Sequence, residues 1–349
     1  MPLNLDSIRG RYLADLLAQP QALDATLAGF AGAPVYDAVA QACPAERFQR
    51  IVLTGMGSSF FALHALAIEL AAHGWSPILL ETSELLHSYP SLLTRSSLVV
   101  AVSQSGRSAE TVRMLELNAG RATVIAVTNS ADSPLATQAS HAVLTSAGDE
   151  YSVSCKTYVT SLLALSALSA ALCGSDPAQR LRDFATAPVA VESYLGNWQE
   201  HVEYFVELLG DVRDIFLVGR GTSLAAASTG ALIIKESDHF HAEGMSSAAF
   251  RHGPFEMLKE GILIGVFAGD PRTEPLNRGL LRDIQATSAG AIWLATDAQD
   301  LACRLPAVST AAAPIVEILP VQMITLALAA LAGREPGRFE RAVKITAIE

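Results

Sequence analysis

Basic residues are scarce in this chain: 24 Lys and Arg stand against 35 Asp and Glu, a formal net charge of −11. That deficit excludes nucleic acid and anionic membrane as principal partners, since both demand a surplus of cations. Cysteine is sparse as well. Cys43, Cys155, Cys173 and Cys303 are scattered, with no pair at metal-ligand or redox spacing, so free thiols are expected. The N-terminus lacks the charged region and apolar run of a secretion signal, and stretches such as Leu162 to Leu172 are alanine-rich and too short to cross a bilayer. The expected location is the cytoplasm.

What the chain has in quantity is apolar residues. They make up half of its 349 positions, enough for two domains of ordinary size. Residues 6 to 42 read as helical, with Leu13, Leu16 and Leu17 on one face and Gln19-Pro20 starting a second helix. Strand-like runs follow at Ile51 to Thr54, Ile78 to Glu81, Leu98 to Val102, Thr123 to Val127 and Ala142 to Thr145. Strands separated by helix-length segments predict a parallel sheet covered on both faces, with ligands at the carboxyl ends of the strands. After a helical stretch from Val189 to Leu209 the cycle restarts, with strands expected at Ile215 to Gly219, Ile262 to Phe267, Ala291 to Leu294 and Ile315 to Leu319.

Two loops at such carboxyl ends carry the chemistry. The run Leu98 to Val102 stops at Ser103-Gln104-Ser105-Gly106, and a helical pattern begins near Ser108. Hydroxyls and backbone N–H groups at the positive end of a helix suit a cluster of anionic oxygens, phosphate first. The same residues also serve a plain helix cap and turn. Gly55-Met56-Gly57-Ser58-Ser59 is the second junction of this kind; as a dinucleotide loop it lacks a third glycine, where Phe60 stands, and a later acidic ribose contact, so sugar phosphate is the better fit. Leu53 to Ser59 aligns without a gap on Leu217 to Ser223, an internal repeat. In that register the SQSG loop falls on Phe267 to Arg272, where the serines are gone and Asp270 repels phosphate. One substrate site, built mainly on the first half, is expected.

The duplicated architecture with these two loops resembles the sugar isomerase (SIS) family, and the order of motifs resembles its double-SIS members. The residues that carry the resemblance are Gln19-Pro20, GSS at 57 to 59, SQSG at 103 to 106, GALIIKESDHFHAEGMSSAAFRHGP from Gly230 to Pro254, and Lys344 near the end. Within the family the layout is similar to the isomerase half of glucosamine-6-phosphate synthase and to stand-alone amino-sugar-phosphate deaminases and deglycases. The resemblance implies an α/β fold of two doubly wound parallel-sheet SIS domains, three-layer αβα sandwiches of flavodoxin-like kind. Their expected extents are 46–190 and 191–335, between an N-terminal helical segment 1–45 and a tail 336–349.

By that resemblance Ser58, Ser59, Ser103, Gln104, Ser105 and Ser108 bind a sugar 6-phosphate. Glu150 to Tyr158, EYSVSCKTY, resembles the segment that closes over the sugar with backbone groups, through Val153 and Ser154; it is one residue shorter than the commoner family pattern, which bears on Lys156 as well. Three further residues take the chemistry. Glu236 lies late in a helix starting at Ser223, where the negative dipole end favours a general base, and the family's glutamate here moves a proton between C1 and C2. A solvated glutamate paired with Lys235 is the plainer alternative. His252, fixed by Gly253-Pro254, corresponds to the histidine that opens the sugar ring, typically reaching across a dimer interface; the alternative is a histidine satisfying loop carbonyls. Lys344, among Val343, Ile345 and Ile348, corresponds to the lysine that takes the open-chain ketose as an imine, against the common case of a solvated terminal lysine. His239 and His241 alternate as on a strand and would share a face with Glu243 as metal ligands, but no third ligand stands at a convincing spacing. Hydrogen bonding is the expected role, with no metal and no other cofactor.

Two departures from the synthase stand out. Its second active-site lysine, three residues before the glutamate, is Ile233 here, and an acidic residue three before the histidine is Ala249. Neither aliphatic side chain relays a proton. The chain begins directly in the SIS-like region, without a glutaminase domain or a cysteine at position 2, so it is not expected to draw ammonia from glutamine. The reading that results is deamination, with isomerisation, of a glucosamine-6-phosphate-type sugar by a homodimer. The alternatives are fructosamine-6-phosphate-type deglycation, simple aldose–ketose isomerisation, and a non-catalytic sugar-phosphate sensor. No nucleic acid or membrane partner is expected.

Overall fold

A computed structural model of the chain describes residues 5–341, 343 and 344. The chain opens with three helices, α1 (Arg11–Leu17), α2 (Gln19–Phe30) and α3 (Pro34–Ala42). Pro20 and Pro34 stand in first turns, where a missing N–H breaks no intrahelical bond. Then come β1 (Arg50–Gly55), α4 (Ser58–Ala72), β2 (Pro77–Glu81), α5 (Thr82–His87), β3 (Ser97–Val102), α6 (Ala109–Asn118), β4 (Thr123–Thr128), α7 (Pro134–Gln138) and β5 (His141–Leu144). The five strands form a sheet in the order β2-β1-β3-β4-β5, parallel throughout. Every residue of β3 is buried. A central parallel strand covered on both faces reads as a continuous apolar run, and Leu98 to Val102 is one.

Four helices follow: α8 (Lys156–Leu172), α9 (Pro177–Asp183), α10 (Ala187–Leu195) and α11 (Trp198–Leu209). The expected stretch from Val189 to Leu209 is thus two helices, parted at Gly196-Asn197. The second cycle runs β6 (Asp214–Gly219), α12 (Ser223–Asp238), β7 (Ala242–Ser246), α13 (Ser247–Arg251), β8 (Ile262–Phe267), α14 (Glu274–Gln285), β9 (Gly290–Leu294), α15 (Ala313–Glu317) and α16 (Leu319–Ala332). Its parallel sheet has the order β7-β6-β8-β9.

One expected strand is not there. Ile315 to Leu319 is helical, the end of α15 and the start of α16. Residues Leu319 to Ala329 are buried around the whole helix, and an all-apolar helix shows no period that separates it from a buried strand. Pro314 and Pro320 were the available signal, since each falls in a helical first turn and neither could donate to a sheet ladder. The fourth strand is instead β7, whose sequence AEGMS is too polar to announce itself. Thr310–Ala332 is long and apolar enough to cross a membrane by composition, with a hydropathy of 2.0, but 83% of that window is buried inside the protein. It is a core helix.

The chain divides into two compact units. The first comprises Gln21–Asp149 and Lys156–Ala185 and includes Lys344; the second comprises the chain up to Pro20, Glu150–Cys155 and Thr186–Glu340. Within the second unit, the fully buried amides of Gln19 and Gln322 donate to each other, Nε2 to Oε1 at 2.9 Å in both directions. Gln19 Nε2 also donates to the Leu16 carbonyl at 3.0 Å, and the Tyr12 and Thr325 hydroxyls lie 3.2 Å apart. Each bond adds about 1 kcal/mol net, but a lone buried amide would cost about 1–3 kcal/mol, so the pair fixes how the N-terminal residues dock on α16. The Gln19-Pro20 motif therefore has a structural role.

Candidate functional site

β1 and β3 pair with Gly55 opposite Val102, so their loops leave the sheet at one level. β1 leads outward to β2 on one side and β3 to β4 on the other, which makes this junction the topological switch point where parallel α/β sheets take ligands. Ser58 and Ser59 begin α4 there. Ser103, Gln104 and Ser105 form the turn after β3, and Ser108 stands at the N-cap of α6 with no side-chain bond to the helix backbone. Ser103 Oγ accepts the Gly106 N–H at 3.1 Å and Ser105 Oγ accepts the Arg107 N–H at 3.2 Å. The backbone uses these oxygens as acceptors, so each hydroxyl proton can turn to an anion. The Ser108 and Thr111 hydroxyls lie 2.7 Å apart.

The turn is held firmly. Gly106 has φ +61°, and a Cβ there would stand 2.7 Å from Ser133 Cβ, so only glycine fits. The Gln104 carbonyl accepts from the Asn129 N–H and from Thr128 Oγ1, both at 3.1 Å. Arg107, inside the loop, lies with Nη2 2.8 Å from Asp132 Oδ2. The structure thus brings the six serine and glutamine residues expected to hold phosphate to one crevice of the first unit. Lys344 belongs to that unit and is half-buried; its expected neighbour Val343 is exposed, and Ile345 and Ile348 lie outside the described residues.

The other expected residues belong to the second unit. Glu236 is half-buried in the last turn of α12. His252 is the exposed C-cap of α13, followed by Gly253 at φ +141° and Pro254. Val153 is buried and Ser154 partly so, in a short segment whose ends meet: the Cys155 N–H donates to Glu150 Oε1 at 2.9 Å, and its thiol lies 3.4 Å from the same oxygen. The Tyr151 N–H donates to Asp15 Oδ2 at 2.6 Å, and the Arg11 guanidinium covers the Tyr151 ring at 4.2 Å. Ile233 is fully buried, and the Ala249 N–H is taken by Ser246 Oγ as a helix cap at 3.0 Å. His239 and His241 do not share a strand face. His239 ends α12 with φ +54° and lies 3.7 Å from Glu340, whereas His241 Nδ1 lies 2.7 Å from Asp214 Oδ1. The left-handed cap turns the chain between them, which alternation along a strand could not foresee.

The second unit repeats the switch point between β6 and β8 with a different outcome. Ser223, the counterpart of Ser59, donates to Glu317 Oε1 at 2.6 Å. Burial pushes this carboxyl up to about 7, and the Ser223 bond pulls it back only in part. Gly269, at φ +72°, brings the β8 loop so near that a Cβ there would lie 3.3 Å from Ser223 Oγ. Asp270 is engaged by the Arg272 N–H and Nε, both at 2.8 Å. Glu317 went unremarked in the sequence; the signal was one acidic residue inside the run Ile315 to Leu319.

The family model described as the SIS domain matches residues 47–171 and 208–332, the two sheets with their loops. The chain belongs to the SIS family. Its two SIS repeats are similar to glutamine–fructose-6-phosphate aminotransferase (isomerizing) from Pyrococcus horikoshii, at 31% identity over 97% of this chain. The chain spans 57% of that relative's length. Among solved structures, the C-terminal domain of glucosamine-fructose-6-phosphate aminotransferase from Francisella tularensis superposes with a TM-score of 0.81 at 21% identity, over 96% of this chain and all of that one. A putative phosphosugar isomerase from Silicibacter pomeroyi gives 0.78 at 26% identity, over 93% of this SIS protein and 99% of its own chain.

Proposed function

We propose that this SIS protein holds a hexose 6-phosphate by its phosphate and removes the amine of a glucosamine-6-phosphate-type sugar while converting the aldose to a ketose. The observation that carries this reading is the first crevice, where the hydroxyls of Ser103 and Ser105 have protons to give, beside Ser58 and Ser59 at the start of α4. Helix N-termini and hydroxyl donors together favour a phosphate dianion. In this reading His252 moves a proton between the sugar's O1 and O5 and opens the ring. Glu236 takes the C2 proton and returns it at C1, which turns the 2-amino aldehyde into a 2-imine. The Lys344 amine adds at C2 and expels ammonia, and water then hydrolyses the lysine imine to the ketose phosphate and free lysine. The net reaction consumes one water and releases one ammonia. A homodimer in which His252 serves the neighbouring copy belongs to the same proposal.

The test is direct. Incubation with glucosamine 6-phosphate is expected to yield ammonia and fructose 6-phosphate in equal amounts, and borohydride is expected to trap substrate on the parent protein but not on Lys344→Ala. Fructose 6-phosphate formed only from glucose 6-phosphate would replace deamination by plain isomerisation. Binding of phosphosugars with no turnover across a panel of amino, glycated and simple hexose phosphates would leave a sensor and sink the enzymatic reading.

A further inference from the structure

The three residues that follow Glu236 are each held by the chain beyond α16. Gly333 ends α16 at φ +62°, and the residues after it reach the C-terminal end of α12. Arg334 Nη1 donates to the Asp238 carbonyl at 3.2 Å, and the Gly337 N–H donates to Ser237 Oγ at 3.0 Å. The ring of His239, the cap, meets two residues of this tail: Nε2 lies 3.4 Å from Arg334 Nη2, and Nδ1 lies 3.7 Å from Glu340 Oε2. Arg334 and Glu340 are themselves paired at 3.5 Å. His239 needs this hold, because at φ +54° it is a non-glycine residue in the left-handed region, a conformation that persists only where its surroundings enforce it. The tail in turn has little room to shift. Gly337, at φ +74°, lies so close to α1 that a Cβ there would stand 3.0 Å from Tyr12 Cβ and 2.7 Å from Ser152 Oγ. All of these residues belong to the second unit.

We propose that Arg334 is a positioning residue for Glu236, fixing the last turn of α12 through the Asp238 carbonyl and the His239 cap. The last carbonyls of a helix have no partner within it, and an end that frays there would carry Glu236 with it. In this helix the His239 N–H closes on the Lys235 carbonyl at 3.1 Å, and the guanidinium takes the Asp238 carbonyl with a charge-assisted bond. Its rigid fork offers Nη1 to that carbonyl and Nη2 to His239 and Glu340, so a single side chain secures the helix end and its cap together. The inference rests on the reading of Glu236 as the group that moves the C2 proton, a transfer that tolerates little misplacement. Arg334 acts through α12 and is not a catalytic residue.

Turnover of glucosamine 6-phosphate by single and double variants tests it. Arg334→Met is expected to lower kcat about tenfold and to change KM by less than about twofold. Arg334→Lys keeps a donor for the Asp238 carbonyl and should recover most of the loss. The deciding readout is a cycle with Glu236→Gln: once the carboxylate is gone its placement no longer matters, so adding Arg334→Met should cost less than about twofold more. A variant that merely folds less well would lose activity by the same factor in both backgrounds. Should the methionine variant fail to fold, Glu340→Ala releases the exposed side of the guanidinium and the His239 ring, and should lower kcat about threefold, again only where Glu236 is present. Parent kcat in both Arg334→Met and Glu340→Ala, or equal losses in the two backgrounds, overturns the positioning role. A parent protein without turnover of this sugar, or a Glu236→Gln protein that keeps it, overturns the reading of Glu236 instead, and the inference falls with it.

Discussion

The two switch points are built alike and used in opposite ways. In the first, the Ser103 and Ser105 oxygens accept backbone N–H groups, and their protons remain for a ligand. In the second, the Ser223 proton already goes to the buried Glu317 carboxyl, and Asp270 is folded onto Arg272. A strand, a glycine-bearing turn and a helix start are therefore not enough to make a phosphate site. What decides is whether neighbouring groups take a hydroxyl as acceptor or as donor: at Ser103 and Ser105 the partners are amides two or three residues along the loop, whereas at Ser223 the partner is Glu317, from a distant helix.

Four measurements sharpen the contrast, from the largest expected effect to the smallest. Glu236→Gln should lower kcat by about a hundredfold to ten-thousandfold while phosphate binding stays unchanged, because Glu236 sits in the unit without the phosphate grip. Unchanged turnover would remove Glu236 from the reaction. Replacing both Ser103 and Ser105 by alanine should raise KM by about a hundredfold, since each hydroxyl donated to a charged oxygen contributes about 1.5 kcal/mol, whereas Thr222→Ala in the second crevice should leave KM as it is. Equal effects in the two crevices would erase the distinction.

Glu317 supplies a pH test. Its carboxyl is raised from 4.5 to about 7 by burial, so the native state holds the proton more tightly than the unfolded chain. Stability from this group is complete below the unfolded value of 4.5 and is lost as pH rises through about 7. The loss amounts to at most about 3 kcal/mol. Urea midpoints should fall over that range, and Glu317→Gln should flatten the fall; a slope that persists in the variant would assign it to another group. The smallest effect is expected for Arg107→Ala, because the Arg107–Asp132 pair is largely exposed and contributes less than about 1 kcal/mol to stability. A destabilisation well above that in thermal unfolding would mean the pair holds the first crevice together.

Among the described residues, eight of the nine strands stand close to where the apolar runs placed them, and β3 shows the clearest reason: a parallel strand buried on both faces writes its length into the sequence as an unbroken β-branched or aliphatic run. The same property hid α15 and α16, where burial on all sides erased the helical period at Ile315 to Leu319. β7 escaped because AEGMS holds no apolar run, whereas the edge strands β2 and β9 carry one in PILLE and GAIWL. At the site, the loops of Ser58 and Ser103 to Ser108 were legible as hydroxyls ahead of a helix, whereas Asn129 and Glu317 were not, since neither sits in a local pattern.

Local order along the chain determined the two sheets, their parallel sense and the position of the loops at the carboxyl ends. Those features follow from the spacing of apolar runs and from short-range turn chemistry, which neighbours in sequence control. The tertiary structure alone decided that the second loop spends the Ser223 proton inside the protein. The partner that settles it, Glu317, comes from another helix, and a hydrogen bond between distant residues leaves no period or spacing behind.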